Sequence, residues 1–164
     1  MTEKTQAMRA LEGKRIGYDV LAYSDEMRDA EEIARSLGLS PGEVYKTLVV
    51  MPPEGSKKPL LVMIPADAHL DLKKLAAAVG AKKLKMATQR EAEQLTGLQV
   101  GGISAVALLN KPFAVYIHRA AEALPVICVS AGKRGLQLRV VTRELIKLTN
   151  ARPVDVATTE PDPD

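Results

Sequence analysis

One lysine lies inside an otherwise apolar stretch of the sequence, Val44-Tyr45-Lys46-Thr47-Leu48. If this stretch is a strand, alternation places Lys46 on the same face as Leu48 and Val50, where its ammonium group is partly desolvated. A desolvated cation favours a neighbouring anion, so Lys46 is a candidate for holding a negatively charged group of a ligand. The alternative is an edge-strand lysine whose ammonium group simply reaches water.

A glycine-rich segment farther along the chain could bind an oxygen atom through its backbone. Its sequence is Val100-Gly101-Gly102-Ile103-Ser104. Paired glycines let a backbone approach a ligand closely, and their N–H groups can bind a carbonyl oxygen or a phosphate. An ordinary flexible turn would have the same composition.

A basic turn between two predicted strands is the third candidate. Its sequence is Ser130-Ala131-Gly132-Lys133-Arg134-Gly135. The two glycines permit positive φ angles, and the lysine and arginine offer charge to an anion or to an RNA backbone. A solvated hairpin turn is the other interpretation of this segment.

Familiar catalytic and cofactor arrangements are missing from the sequence. His69 and His118 are far apart and lack cysteines or carboxylates at ligand spacing, so we expect no metal site. The sequence contains no Walker A motif, dinucleotide fingerprint or nucleophile elbow, and we expect no cofactor. Cys128, in an apolar run, is interpreted as a small buried hydrophobe and not as a nucleophile.

Composition limits the class of protein that can carry these candidates. The 164 residues suit a single domain, and with no Trp and one Phe its core must be aliphatic. Scarce aromatics argue against the base-stacking platforms of single-strand nucleic-acid binders. The net charge of +3, despite an acidic tail after Ala151, favours a polyanionic partner.

A single cysteine, a polar N-terminus and the lack of a long apolar run predict a cytoplasmic protein without a signal peptide or membrane contact.

Hydrophobic periodicity predicts the elements that must position the candidate residues. Helices are expected at Thr5–Leu11, Asp29–Leu37, Ala66–Gly80 and Thr88–Gly97, with a last helix from Thr142. Strands are expected at Lys14–Tyr23, Val44–Met51, Lys58–Pro65, Ala114–Ile117, Pro125–Ser130 and Leu136–Val141, with the second and third forming a hairpin.

Because helices interrupt the strands irregularly, the pattern indicates an α+β fold in one domain, with a mixed, mostly antiparallel sheet. The composition from Pro153 onward is typical of a disordered tail, and we assign residues 1–156 to the domain and 157–164 to the tail.

The order of several short motifs resembles the YbaK/EbsC family of aminoacyl-tRNA deacylases from about Lys14 to Val156. Those motifs are Val44–Leu48, Asp71–Leu75, Gly80–Lys83, Thr96-Gly97, Val100–Ser104 and Ser130–Leu136. The likeness is greatest to the Cys-tRNA(Pro) deacylase branch, which is related to the editing insertion domain of prolyl-tRNA synthetases.

The resemblance implies a sheet curled toward a barrel with helices around it, and a pocket lined by the three candidate segments. It implies catalytic roles for Lys46, Gly101 and Gly102. It also implies a substrate-binding set of Tyr23, Val100, Ser104, Ser130, Gly132, Lys133, Arg134 and Gly135.

The function implied is trans-editing of mischarged aminoacyl-tRNA, in which the thiol of the mischarged cysteine attacks its own ester. The implied partners are the acceptor end of aminoacyl-tRNA and a prolyl-tRNA synthetase. Ala105, His118 and Gln137 depart from the family pattern, which leaves open another small substrate such as Ala-tRNA(Pro). A module that binds tRNA or a synthetase without catalysis is a further alternative.

Overall fold

The structure, a computed structural model, describes residues 3–158. Its helices are α1 Gln6–Gly13, α2 Ala30–Ser36, α3 Leu72–Val79, α4 Gln89–Thr96 and α5 Thr142–Thr149. Its strands are β1 Tyr18–Ala22, β2 Tyr45–Val50, β3 Leu60–Pro65, β4 His69–Leu70, β5 Ala114–His118, β6 Val126–Ser130, β7 Leu136–Val141, β8 Arg152–Val154 and β9 Ala157–Thr158. None of the helices in this range is long and apolar enough to cross a membrane.

The strands form three sheets, and the largest is mixed. It has the order β2-β3-β5-β8, with β2 antiparallel to β3 and the other two pairs parallel. A second sheet, β1-β7-β6, is antiparallel, and β4 pairs with β9. A parallel bridge between Val44 and Cys128 joins the edges of the two larger sheets. The α+β class is confirmed, but the described sheets meet at this edge without closing into a barrel.

The core is aliphatic and lies on both faces of the four-stranded sheet. Alternate residues of β3 divide between the faces, so Leu61 and Met63 belong to one cluster and Val62 and Ile64 to the other. Helix α3 covers the second cluster through Leu75, whereas α1 and the three-stranded sheet contribute to the first.

Helix α3 is shorter than the periodicity of residues 66–80 predicts. Its N-cap is Asp71, whose side chain accepts hydrogen bonds from the N–H groups of Lys73 and Lys74 at 3.1 Å each. A cap satisfies N–H groups that have no helical partner, and so it fixes the start of the helix. The residues before the cap form β4 instead of helix.

The prediction of a disordered tail from Pro153 is wrong for the residues that the structure describes. Strand β8 pairs with β5, Val156 is fully buried, and β9 pairs with β4. Composition predicted disorder because the segment is rich in Pro, Asp and Thr, but sheet edges elsewhere in the fold supply its hydrogen-bond partners. Residues 159–164 lie outside the described range.

Candidate active site

A cavity of about 370 Å³ lies along the edge of β2 that faces away from β3, within the size range of small-molecule sites. Its lining includes six consecutive residues from Val44 to Val49. Because side chains alternate between the faces of a strand, only a cavity beside the strand edge can contact all six. The opposite wall comes from α2, the segment 86–89, the glycine segment and the ends of β6 and β7.

Lys46 lies in this wall and is half-buried. Its Nζ donates a hydrogen bond to the carbonyl oxygen of Ala66 at 3.2 Å, and it forms no ion pair with a described residue. Burial lowers the pKa of Lys46 below its ordinary value of 10.5, and the more distant charges of Asp29, Glu31 and Asp67 oppose the change. The ammonium group is therefore under-solvated, and an anion in the cavity would stabilise it.

The glycine segment reaches the same cavity through Val100, Gly101 and Ile103. Gly101 has a φ of +95°, a conformation that side chains disfavour. The N–H of Gly102 donates to the carbonyl oxygen of Gln99 at 2.8 Å, and Gly102 does not line the cavity. In the described structure the N–H of Gly102 therefore closes the turn instead of facing the cavity.

Gly102 instead provides close packing between the glycine segment and the basic turn. A Cβ atom on Gly102 would lie 2.9 Å from the backbone nitrogen of Arg134 and 3.1 Å from the carbonyl carbon of Lys133. Both neighbours are backbone atoms, so no side-chain rotation could make room. Arg134 does not line the cavity; its Nε donates to the carbonyl oxygen of Val100 at 2.8 Å.

Ser130 and Gln137 face each other across β6 and β7 and both line the cavity. The Oγ of Ser130 accepts a hydrogen bond from the N–H of Gly132 at 3.1 Å. Gln137 is only 5% exposed, and its Oε1 has no partner among the described residues. A buried acceptor without a partner is costly, and a ligand that donates a hydrogen bond would satisfy it.

The remaining predicted residues lie outside the cavity lining. Ser104 is fully buried, with an unpaired hydroxyl in the described structure. Tyr23 donates from its N–H to the carbonyl oxygen of Gly135 at 2.9 Å, and its own hydroxyl is buried without a described partner. Gly132 and Lys133 line a neighbouring cavity.

The structure adds residues to the site that the sequence did not single out. Arg28 and Asp29 line the cavity at the start of α2, and Met86 to Gln89 line it before and at the start of α4. Asp29 was the first residue of a predicted helix and is the N-cap of α2, but its position at the cavity depends on how α2 packs. Gln137 was noted only as a departure from a family pattern.

The described lining contains hydroxyl groups, among them that of Ser130, but not the histidine that usually activates a hydroxyl nucleophile. No histidine or cysteine of the described chain lines the cavity. Cys128 is buried in β6, which confirms the prediction of a core residue, and this burial raises the pKa of its thiol. The cavity therefore offers two cationic side chains, Lys46 and Arg28, together with polar backbone, and it suits a reaction whose nucleophile comes from the ligand or from water.

Comparisons with known proteins agree on one family. The model of the aminoacyl-tRNA editing domain matches residues 24–148. The chain is 38% identical, over 96% of both sequences, to EbsC of Enterococcus faecalis, a protein assigned as a Cys-tRNA(Pro)/Cys-tRNA(Cys) deacylase.

Two further matches connect the chain with prolyl-tRNA synthetases. A segment of 84 residues, 51% of the chain, is 33% identical to 14% of the proline–tRNA ligase of Thermodesulfovibrio yellowstonii. A crystal structure described as a trans-editing enzyme for prolyl-tRNA synthetase has a TM-score of 0.80 and 28% identity, covering 96% of this chain and 99% of that one.

Proposed function

Because the chain belongs to the aminoacyl-tRNA editing domain family and is an aminoacyl-tRNA deacylase, we propose that its substrate is Cys-tRNA(Pro). The assigned activity of the Enterococcus relative supports this substrate. The observation that carries the proposal is the under-solvated Lys46 in the same cavity as Gly101, a cavity that no described cysteine or histidine lines. Such a site suits a substrate that brings its own nucleophile.

An editing activity is needed because a synthetase selects its amino acid with limited accuracy. A pocket shaped for proline rejects an amino acid of similar size by only about 1–3 kcal/mol per missing methylene group. Cysteine and alanine therefore reach the tRNA, and a second site must remove them. The link to prolyl-tRNA synthetases comes from the matches to a proline–tRNA ligase and to a trans-editing enzyme.

In the proposed reaction the thiol of the esterified cysteine is the nucleophile. Its sulfur forms a bond to the carbonyl carbon of the same residue, the bond from that carbon to the ribose oxygen breaks, and the thiol proton goes to the ribose oxygen. Water then opens the resulting cyclic thioester and releases cysteine. The ammonium group of Lys46 favours the thiolate, because a neighbouring cation lowers a thiol pKa.

The carbonyl oxygen gains negative charge during this attack and needs hydrogen-bond donors. Gly101 is the better placed of the two glycines, because it lines the cavity and its N–H donates to no described group. A single donor of this kind is worth about 10²–10³ in rate where it has been removed. Gly102 acts differently, by holding the glycine segment against the basic turn.

The amino group of the esterified cysteine requires an acceptor, and Gln137 has one. Its buried Oε1 is unpaired in the described structure, and it lies across the strand pair from Ser130. We assign Gln137 and Ser130 to binding of the aminoacyl group. A prolyl-tRNA synthetase is the proposed partner, and a substrate from translation places the activity in the cytoplasm.

The test is deacylation of Cys-tRNA(Pro), Ala-tRNA(Pro) and Pro-tRNA(Pro) by the wild-type protein and by Lys46→Ala. The proposal expects rapid, Lys46-dependent release of cysteine and slow release of proline. Release of alanine in place of cysteine would contradict the substrate while keeping the reaction. Full activity in a correctly folded Lys46→Ala protein would contradict the assignment of Lys46.

A further inference from the structure

A second cavity lies on the other side of the loops that form the active site. It encloses about 450 Å³ and is lined by Leu98, next to the glycine segment, and by Gly132 and Lys133 of the basic turn. The neighbouring residues Val100 and Ser130 of these segments line the active-site cavity. One pair of packed loops therefore lies between the two cavities.

This second cavity, here called the lysine groove, is lined by more basic than acidic side chains. Lys4, Lys111 and Lys133 line it, with Glu3 as the single acidic residue in its described lining. Lys4 is neutralised by Glu12, with Nζ and Oε1 2.6 Å apart. Lys111 and Lys133 are exposed and form no ion pair within residues 3–158.

We propose that the lysine groove binds the sugar-phosphate backbone of the RNA strand whose aminoacylated end enters the active-site cavity. The inference rests on the proposed function, which requires a polyanionic strand to leave that cavity. Lysine ammonium groups bind phosphates as point charges, and no aromatic side chain lines the groove for base stacking. The groove therefore contacts phosphates, which fixes the position of the strand without reading its sequence.

The basic turn, and the glycine segment with the neighbouring Leu98, contribute lining residues on both sides, and this fixes the position of the groove relative to the active-site cavity. Arg134 binds the carbonyl oxygen of Val100, while its neighbour Lys133 lines the groove. A strand held by Lys133 is thus held at a fixed position relative to Gly101. An acidic surface on a protein partner would also suit two lysines, but it would give no reason for the groove to adjoin the active site.

The experiment measures binding of uncharged tRNA to the full chain by fluorescence anisotropy at several salt concentrations between 50 and 200 mM. The double variant Lys111→Glu/Lys133→Glu is compared with Lys14→Glu/Lys147→Glu. The control pair is also exposed and also lines a cavity, but that cavity shares no residue with either loop. Thermal melting checks that each variant is folded, and Lys111→Gln/Lys133→Gln provides a milder pair.

We expect the groove variant to bind tRNA at least tenfold more weakly than the control at 50 mM salt. Its slope of log affinity against log salt should fall by about 1.4–1.8, since each phosphate contact contributes roughly 0.7–0.9. An equal loss in both variants would overturn the proposal, as would binding of tRNA by the wild-type protein only when a synthetase is present. Because the tRNA carries no amino acid, the expected loss would support the groove even if deacylation of Cys-tRNA(Pro) failed.

Discussion

The Nε atom of Arg134 donates a hydrogen bond to the carbonyl oxygen of Val100 at 2.8 Å. These residues are 34 positions apart, and their contact ties the basic turn to the glycine segment beside the cavity. The preceding peptide is also held, because the N–H of Val100 donates to Oε2 of Glu93 at 2.9 Å. Gly101 therefore takes its place at the cavity because its neighbour is fixed from two directions.

Replacing Arg134 with alanine should impair the reaction more than the stability of the fold. A hydrogen bond from a charged donor contributes about 1.5–3 kcal/mol to stability. Because Arg134 is partly exposed, we expect its loss to lower the free energy of unfolding by an amount near the lower end of this range. Loss of position at Gly101 should lower kcat at least tenfold while KM changes less, because the affected donor acts on the developing charge. Steady-state kinetics on Cys-tRNA(Pro) measures the two constants separately.

Arg9→Ala is the matched control, since Arg9 is exposed on α1 and lines none of the cavities described above. Arg134→Lys should keep more of the rate than Arg134→Ala, because lysine is a cationic donor but lacks the geometry of the guanidinium group. An unchanged kcat in Arg134→Ala would show that the glycine segment keeps its conformation without this contact.

The substitution Gly102→Ala should push the glycine segment and the basic turn apart. The added Cβ would lie 2.9 Å from a backbone nitrogen, and such overpacking costs about 1–3 kcal/mol in unfolding free energy. Gly17→Ala is the control, because nothing lies within 4 Å of its added Cβ. Urea unfolding of the two variants tests the difference, and equal stabilities would contradict the packing role of Gly102.

The charge of Lys46 should set the alkaline limit of activity. Burial lowers the pKa of Lys46 below 10.5, so the ammonium form disappears as pH rises toward that value, and the rate that depends on it should fall. Arginine stays protonated throughout this range. Lys46→Arg should therefore lack the alkaline fall, although its larger head group lowers the maximum rate.

This pH dependence is measured as deacylation rate between pH 7 and 10, after subtraction of the spontaneous hydrolysis of the ester. The rise of the rate at lower pH, which the substrate thiol causes, should be shared by both proteins. An alkaline fall of the same size in Lys46→Arg would assign that limit to another group.

Sequence patterns predicted the elements of the fold better than the way those elements meet. The β2–β3 hairpin and the capped helix α4 depend on residues close in the chain, and both formed as predicted. Strands β8 and β9 could not be predicted, because their partners are distant sheet edges and their own composition is typical of a disordered segment.

The candidate site shows the same division between local and distant information. Lys46 and Gly101 carried local signals, an isolated charge and a glycine pair, and the fold brings both to one cavity. The role of Gly102 depends on the approach of residues 133 and 134, and that of Gln137 depends on burial. Neither distance nor burial can be read from one sequence.

His118 should make the fold less stable in mild acid. Its Nδ1 accepts a hydrogen bond from the N–H of Val156 at 3.2 Å, and burial lowers its pKa below 6.5 despite the opposing charge of Asp155. The unfolded chain, in which the pKa of His118 is higher, then binds a proton more readily. The contribution of His118 to the free energy of unfolding is therefore fully present above pH 6.5, and it is lost as the pH falls to the lower pKa of the folded state. A protonated Nδ1 can no longer accept from Val156.

Urea unfolding at pH 7.5 and pH 5 measures this dependence, with His118→Asn as the comparison. Asparagine keeps an acceptor but does not titrate, so its free energy of unfolding should change less between the two pH values. His69→Asn, at an exposed histidine, is the control. Equal acid sensitivity in wild type and His118→Asn would place the effect elsewhere in the chain.

Gln137→Leu should separate stability from activity, because the two depend on Oε1 in opposite ways. In the free protein this oxygen is buried and has no described partner, so its removal at similar side-chain volume should leave stability unchanged or raise it by about 1 kcal/mol. In the complex the same oxygen is proposed to accept from the amino group of the substrate. Its loss should then raise KM for Cys-tRNA(Pro) by about tenfold, the equivalent of about 1.4 kcal/mol.

The control for this change is Ser104→Ala, which likewise removes a buried oxygen without a described partner, in this case a hydroxyl, but at a position that does not line the cavity. It should match Gln137→Leu in the direction of its effect on stability and leave KM near the wild-type value. Thermal unfolding and steady-state kinetics on the same preparations provide both readouts. A stable Gln137→Leu protein with wild-type KM would show that Oε1 does not contact the aminoacyl group, and the acceptor for the amino group would have to be sought among the carbonyl oxygens lining the cavity.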